Sequence, residues 1–110
     1  MVGAARVLLL VLLAVVSWLA FSPAPPPGLD TGWDKLNHFS AFAALTVTGC
    51  VAFARRWRVA AWLLAYGVLI ECVQSQIPSR RAEAADVLAD AVGIVIGLTV
   101  AAWVLRRSNS

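Results

Sequence analysis

Ile70-Glu71-Cys72-Val73-Gln74-Ser75-Gln76-Ile77-Pro78-Ser79-Arg80-Arg81-Ala82-Glu83-Ala84-Ala85-Asp86-Val87-Leu88-Ala89-Asp90-Ala91-Val92-Gly93 is the stretch whose reading decides the fold. An apolar run acquires Glu71 and Gln74, turns at Pro78, passes Arg80 and Arg81, and re-enters apolar sequence carrying Asp86 and Asp90. Residues three or four apart share a helical face, so Glu71 and Gln74 form one polar face and Asp86 and Asp90 another. Gly67 lies one turn deeper on the Glu71 face. Ionisable groups beside hydrocarbon are expensive unless they are paired or face a wet cavity. Two such faces joined by a short turn can converge on one site.

Working outward, the composition excludes an ordinary soluble domain. Only 14% of the 110 residues are charged and 61% are hydrophobic, against about 25% charged in an average soluble domain. A chain this short has too much surface to hide that much apolar area, so lipid must cover it. The net charge is +3 and the basic residues are scattered. They read as topology signals and not as a nucleic-acid footprint, so no nucleic-acid partner is expected. The fold class expected is therefore all-α: a polytopic membrane protein built as a four-transmembrane-helix bundle with the bilayer as its main partner.

Four apolar runs supply the spans. Residues 1–22 form a first transmembrane helix, with Arg6 ahead of an apolar run from Val7 to Phe21. The same features describe a secretory signal peptide, but prolines at 25 to 27 make a poor context just past a cleavage site. An uncleaved helix is the preferred reading. Residues 23–33 form a proline-rich outer loop, in which Pro23, Pro25, Pro26 and Pro27 hold the backbone extended. A second span runs from Leu36 to Ala54, a third from Val59 to Ile77 and a fourth from Val87 to Leu105, each near the length a bilayer core requires. On the fourth, Ala89, Gly93, Gly97 and Ala101 recur every four residues. The Gly93-x-x-x-Gly97 stripe permits close helix approach, and packing within the chain is preferred to a dimer interface. Cys50 and Cys72 are read as small buried apolar residues near opposite ends of neighbouring helices, too far apart to bridge.

The basic residues orient the bundle. Arg6, Arg55, Arg56, Arg58, Arg106 and Arg107 flank one side, and Lys35, Arg80 and Arg81 the other. This excess places both termini in the cytoplasm. Trp57, Trp62 and Trp103 then mark the inner interface, and Trp18 and Trp33 the outer one. In this topology Asp34, Lys35, His38, Glu71, Gln74, Arg80, Asp86 and Asp90 all fall at the outer ends of the second to fourth spans. His38 can bond Asp34 four residues before it, or take part in a site.

This ordered set resembles the VanZ-like family of small bacterial membrane proteins. Its carriers are Asp34-Lys35-x-x-His38-Phe39, Glu71-x-x-Gln74, Pro78-x-Arg80 and Asp86-x-x-x-Asp90-x-x-Gly93-x-x-x-Gly97. The resemblance runs from Asp34 to about Leu105 and delimits a three-helix membrane domain at residues 34–107. Family members usually have asparagine where Asp90 stands, so here an extra acid must be protonated or paired. The family takes its name from a protein associated with resistance to the glycopeptide teicoplanin. The resemblance implies a multi-pass protein of the bacterial inner (cytoplasmic) membrane with a role in the cell envelope; it supplies no mechanism.

Three functions compete on this reading. In the first, a non-enzymatic polar pocket binds an envelope component: a lipid headgroup, a cell-wall precursor or a glycopeptide. Lys35 and Arg80 would hold phosphate or carboxylate, while Asp34, Glu71 and Asp86 hold amines or sugar hydroxyls. In the second, His38 with Asp34, Glu71 and Asp86 ligates a divalent metal and hydrolyses a lipid-linked substrate. A single histidine and the lack of a nucleophile motif weigh against it, so no metal and no cofactor are expected. In the third, the polar cluster only pairs, and the protein is a structural or assembly module.

Overall fold

The computed structural model describes residues 2–21, 34–76 and 84–108, with the side chains of residues 34–37, 84–86 and 108 left aside. Four helices account for nearly all of it: α1 (Val2–Phe21), α2 (Asp34–Ala52), α3 (Arg56–Gln74) and α4 (Ala84–Ser108). The chain is all-helical over the described residues. Two of the helices are long and apolar enough to cross a membrane, at Val2–Phe21 and Val87–Arg107. α2 holds a shorter apolar stretch, His38–Ala52. In α2 and α3 the charged groups sit toward the helix ends, and in α3 these are Arg56, Arg58 and Glu71, with Gln74 at its close.

The element bounds differ by a few residues from those expected. α3 starts at Arg56, not Val59, because Arg55 takes the extended N-cap position and its carbonyl accepts the amides of Arg58 and Val59. It ends at Gln74, not Ile77. Ser75 and Gln76 amides close the last turn onto Glu71 and Val73 carbonyls, and the Ser75 hydroxyl donates to the Cys72 carbonyl. The chain thus leaves the helix ahead of Pro78, whose ring cannot continue one. α4 is longer than expected at both ends. Threonines are tolerated inside these apolar helices because Thr46, Thr48 and Thr99 donate to carbonyls four residues back, at 2.7, 2.8 and 3.0 Å.

The link between α2 and α3 is only Phe53-Ala54-Arg55, so the two run antiparallel as neighbours. α1 lies antiparallel to α2: Arg6 Nε donates to the Ala52 carbonyl at 3.2 Å, and its guanidinium lies 4.7 Å from the centroid of the Phe53 ring. α1 is parallel to α3, tied by a Gln74 Nε2 bond to the Ala20 carbonyl at 3.0 Å and by Tyr66 hydroxyl bonds to Ser17 Oγ and the Leu13 carbonyl. α2 and α4 are parallel and pack most closely of all. The result is an up-down-up-down bundle in which α1 and α4 occupy opposite corners. Its core is Phe42, Leu45, Cys50, Val59, Leu63, Ile70, Ile94 and Ala101.

Glycine sets the α2–α4 spacing. A Cβ on Gly93 would sit 2.6 Å from the Phe39 carbonyl oxygen, and one on Gly97 2.6 Å from Thr46 Cβ and 2.9 Å from the Ala43 carbonyl oxygen. The small-residue stripe of α4 is thus spent inside the chain, against α2. The outward faces carry large apolar side chains: Val7, Leu10, Trp18, Trp57, Trp62, Leu69, Leu88, Val95 and Trp103 are all exposed. Cys50 is buried, but Cys72 is exposed, contrary to the expectation for it. The buried face of α3 carries Leu63, Gly67, Ile70, Glu71 and Gln74. At 100° per residue, position 72 falls on the opposite side.

Candidate functional site

The site is built where α2 and α4 come close. Gly93 lets the two backbones approach, and one turn toward the polar end of the pair His38 meets Asp90. His38 Nδ1 lies 2.9 Å from Asp90 Oδ1. The Asp90 side chain is fully buried and that of His38 is 15% exposed. A buried carboxylate accepts and does not donate, so an ionised Asp90 requires the proton on Nδ1. The extra acid in this chain is therefore paired, and its partner is the histidine.

α3 closes the site from the other side. A Cβ on Gly67 would lie 2.7 Å from Asp90 Oδ2 and 3.4 Å from Phe42 Cζ. The missing side chain is the slot that receives the Asp90 carboxylate, with the Phe42 ring beside it. Phe42 is itself held against Tyr66, ring centroids 5.9 Å apart. Glu71 is buried one turn beyond Gly67 on the same α3 face, and Gln74 is buried beyond that. Three helices thus bring an imidazole, two carboxylic acids and an amide to one end of the bundle.

The sequence-derived candidates fare unequally. His38 and Asp90 are in direct contact. Glu71 and Gln74 lie on the inward face of α3, but the Gln74 amide donates to the Ala20 carbonyl and so anchors the end of α1. Gly93 and Gly97 are in the α2–α4 seam. Asp34 and Asp86 belong to the first turns of α2 and α4, with side chains outside the described residues; the same holds for Lys35, and Arg80 lies wholly outside them. The Asp34–His38 bond is outside the described residues as well. Sequence reasoning missed the part played by Gly67. The signal available was a glycine one turn from a glutamate within an apolar run, on the same face.

Among the described residues, no group of three or more His, Cys, Asp or Glu side chains could hold a metal ion. What the described arrangement can do is offer a hydrogen-bonded imidazole–carboxylate pair, with a second acid nearby, to a polar group entering between the helix ends.

Compared with protein families, the chain matches the model described as VanZ/LLP1 over residues 8–106. The match includes α2 and α3 whole and most of α1 and α4. No curated protein matches, and no solved structure does.

Proposed function

The chain belongs to the VanZ/LLP1 family, and from that premise we propose a four-span membrane protein of the bacterial cell envelope. Its outer-leaflet polar cluster binds an envelope component or glycopeptide. The up-down-up-down bundle supports the four spans, because the described helix ends gather at its two ends, with the Phe53-Ala54-Arg55 link at one of them. The exposed leucines, valines and tryptophans of α1, α3 and α4 support a lipid surround, since water would leave that area uncompensated. The basic asymmetry supports cytoplasmic termini. The protein is thus a multi-pass inner-membrane protein whose His38 end faces outward.

The observation that carries the binding reading is the contact between His38 and Asp90 at the mouth of the bundle. Charged groups in a membrane interior are retained at a cost. Here the histidine stays partly open while its acid is wholly enclosed. A pair serving packing alone has no need of an open member. Lys35, Arg80, Asp34 and Asp86 extend the cluster in this reading, giving cationic groups for phosphate or carboxylate and acids for amines or sugar hydroxyls.

The test compares teicoplanin susceptibility with folding in a bacterial host expressing the chain. Glu71→Gln keeps the shape and hydrogen bonding of the side chain. It is expected to reach normal membrane levels with an unchanged melting profile in detergent, and to lose whatever resistance the wild-type chain confers. His38→Gln should behave in the same way. A Glu71→Gln variant with full resistance and normal stability would remove Glu71 from the site. One that melts far below wild type would make the cluster a structural ion-pair network.

A further inference from the structure

A cavity lies toward the opposite end of the bundle. Partly open and about 580 Å³ in volume, it lies between α1, the end of α2 and α3, with Leu9 and Leu13 from α1, Trp62, Leu63 and Tyr66 from α3, and Arg55 and Arg58 in its lining. Its size is that of a ligand pocket, roughly 300–1,000 Å³. Its lining is almost wholly apolar, and among the described residues no acidic side chain lines it. This end of the molecule is cationic throughout. Arg6, Arg55, Arg56, Arg58, Arg106 and Arg107 lie here, whereas all six acids, Asp30, Asp34, Glu71, Glu83, Asp86 and Asp90, lie at or beside the other helix ends in sequence.

We infer that this groove is a binding site for one anionic phospholipid, with an acyl chain against Leu9, Leu13, Leu63 and Trp62 and its phosphate on Arg55 and Arg58. Hydrocarbon alone fits any lipid. The choice of an anionic one comes from the positive charge of Arg55 and Arg58, which among the described lining residues no acid offsets. The Arg58 guanidinium lies 5.4 Å from the Trp57 ring centroid, which holds it at the level of the interface. A zwitterionic headgroup brings its own ammonium into this cationic field and is repelled in part. The cytoplasmic leaflet, onto which this end opens if both termini are cytoplasmic, has a negative surface potential that draws basic groups to anionic lipid. The inference rests on the membrane reading above in that respect alone. A bound lipid here wedges α1 against α3, which otherwise meet through few side chains, and so couples the first helix to the bundle.

Native mass spectrometry of the purified full chain in detergent tests this, with dioleoylphosphatidylglycerol or dioleoylphosphatidylcholine added at equal concentration. One phosphatidylglycerol per chain is expected, preferred by roughly tenfold or more. Arg55→Gln/Arg58→Gln should abolish the preference, and Arg55→Lys/Arg58→Lys should keep most of it. Leu9→Trp fills the groove while leaving both arginines, and should release the lipid. Equal retention of the two lipids would overturn the inference. So would a preference that survives the double glutamine variant, retention unaffected by Leu9→Trp in a monodisperse sample, or displacement by glycerol 3-phosphate, which has no chains. Micelles have no sides, so a wrong orientation would leave this result intact and appear only in the labelling experiment given in the Discussion.

Discussion

At the scale of single residues, Gly67 and Asp90 form a lock. The carboxylate occupies the place a side chain on residue 67 would need, 2.7 Å from the Cβ position. A carboxylate held by His38 at 2.9 Å cannot swing away without breaking that bond. Gly67→Ala is therefore expected to destabilise the protein by roughly 1–3 kcal/mol, the usual cost of overpacking. In an Asp90→Ala background the same substitution should cost much less, and the two together should show a coupling of about 0.5–3 kcal/mol in a double-mutant cycle of detergent melts. Strict additivity would mean that the slot and the carboxylate are independent. Asp90→Asn, by contrast, keeps a side chain of the same shape that still accepts from Nδ1, and it should fold normally.

At the scale of elements, the α2–α4 seam carries the bundle. The atoms that a Cβ on Gly93 would meet are backbone, the Phe39 carbonyl and the Ala43 amide nitrogen, and backbone cannot rotate out of the way. Gly3 has nothing within 4 Å of its Cβ position. Gly3→Ala should then be neutral or slightly stabilising through helix propensity, while Gly93→Ala costs more than about 1 kcal/mol despite the same gain. Fluorescence-detected size exclusion after a heat step reads both. Because Gly93 sets the spacing at which His38 meets Asp90, Gly93→Ala should also reduce resistance in the susceptibility assay. A Gly93→Ala variant as stable as Gly3→Ala would show that the helices can part at no cost.

At the scale of the whole molecule, the parallel pairs α1 with α3 and α2 with α4 put the start of α1, the Phe53–Arg55 link and the end of α4 at one end. That end is cationic, and the proposed orientation turns it to the cytoplasm. Ala54 is exposed in the link, so Ala54→Cys in a chain with Cys50→Ala and Cys72→Ser reports on it with no polar group introduced into the core. In intact cells the thiol should react with a membrane-permeant maleimide and stay untouched by an impermeant one. Labelling by the impermeant reagent would reverse the bundle and set the His38 cluster facing inward.

The sequence by itself determined what depends on local chemistry. Four apolar runs bounded by prolines, arginines and polar ends became four helices, because length, hydropathy and the missing amide of proline act over a few residues. It also brought His38, Glu71, Gln74 and Asp90 to one end of the bundle, since helices that alternate in direction put the start of α2 beside the end of α3 and the start of α4. Only the tertiary structure decided which faces meet. That Asp90 pairs with His38, 52 residues away, that Gln74 holds the Ala20 carbonyl, that Gly67 receives a carboxylate and that Cys72 turns outward all follow from the rotation of each helix about its axis. Every helix here is apolar on most of its circumference, so periodicity leaves that rotation open. It is set by where glycine lets one backbone press against another, and that is a property of two helices together.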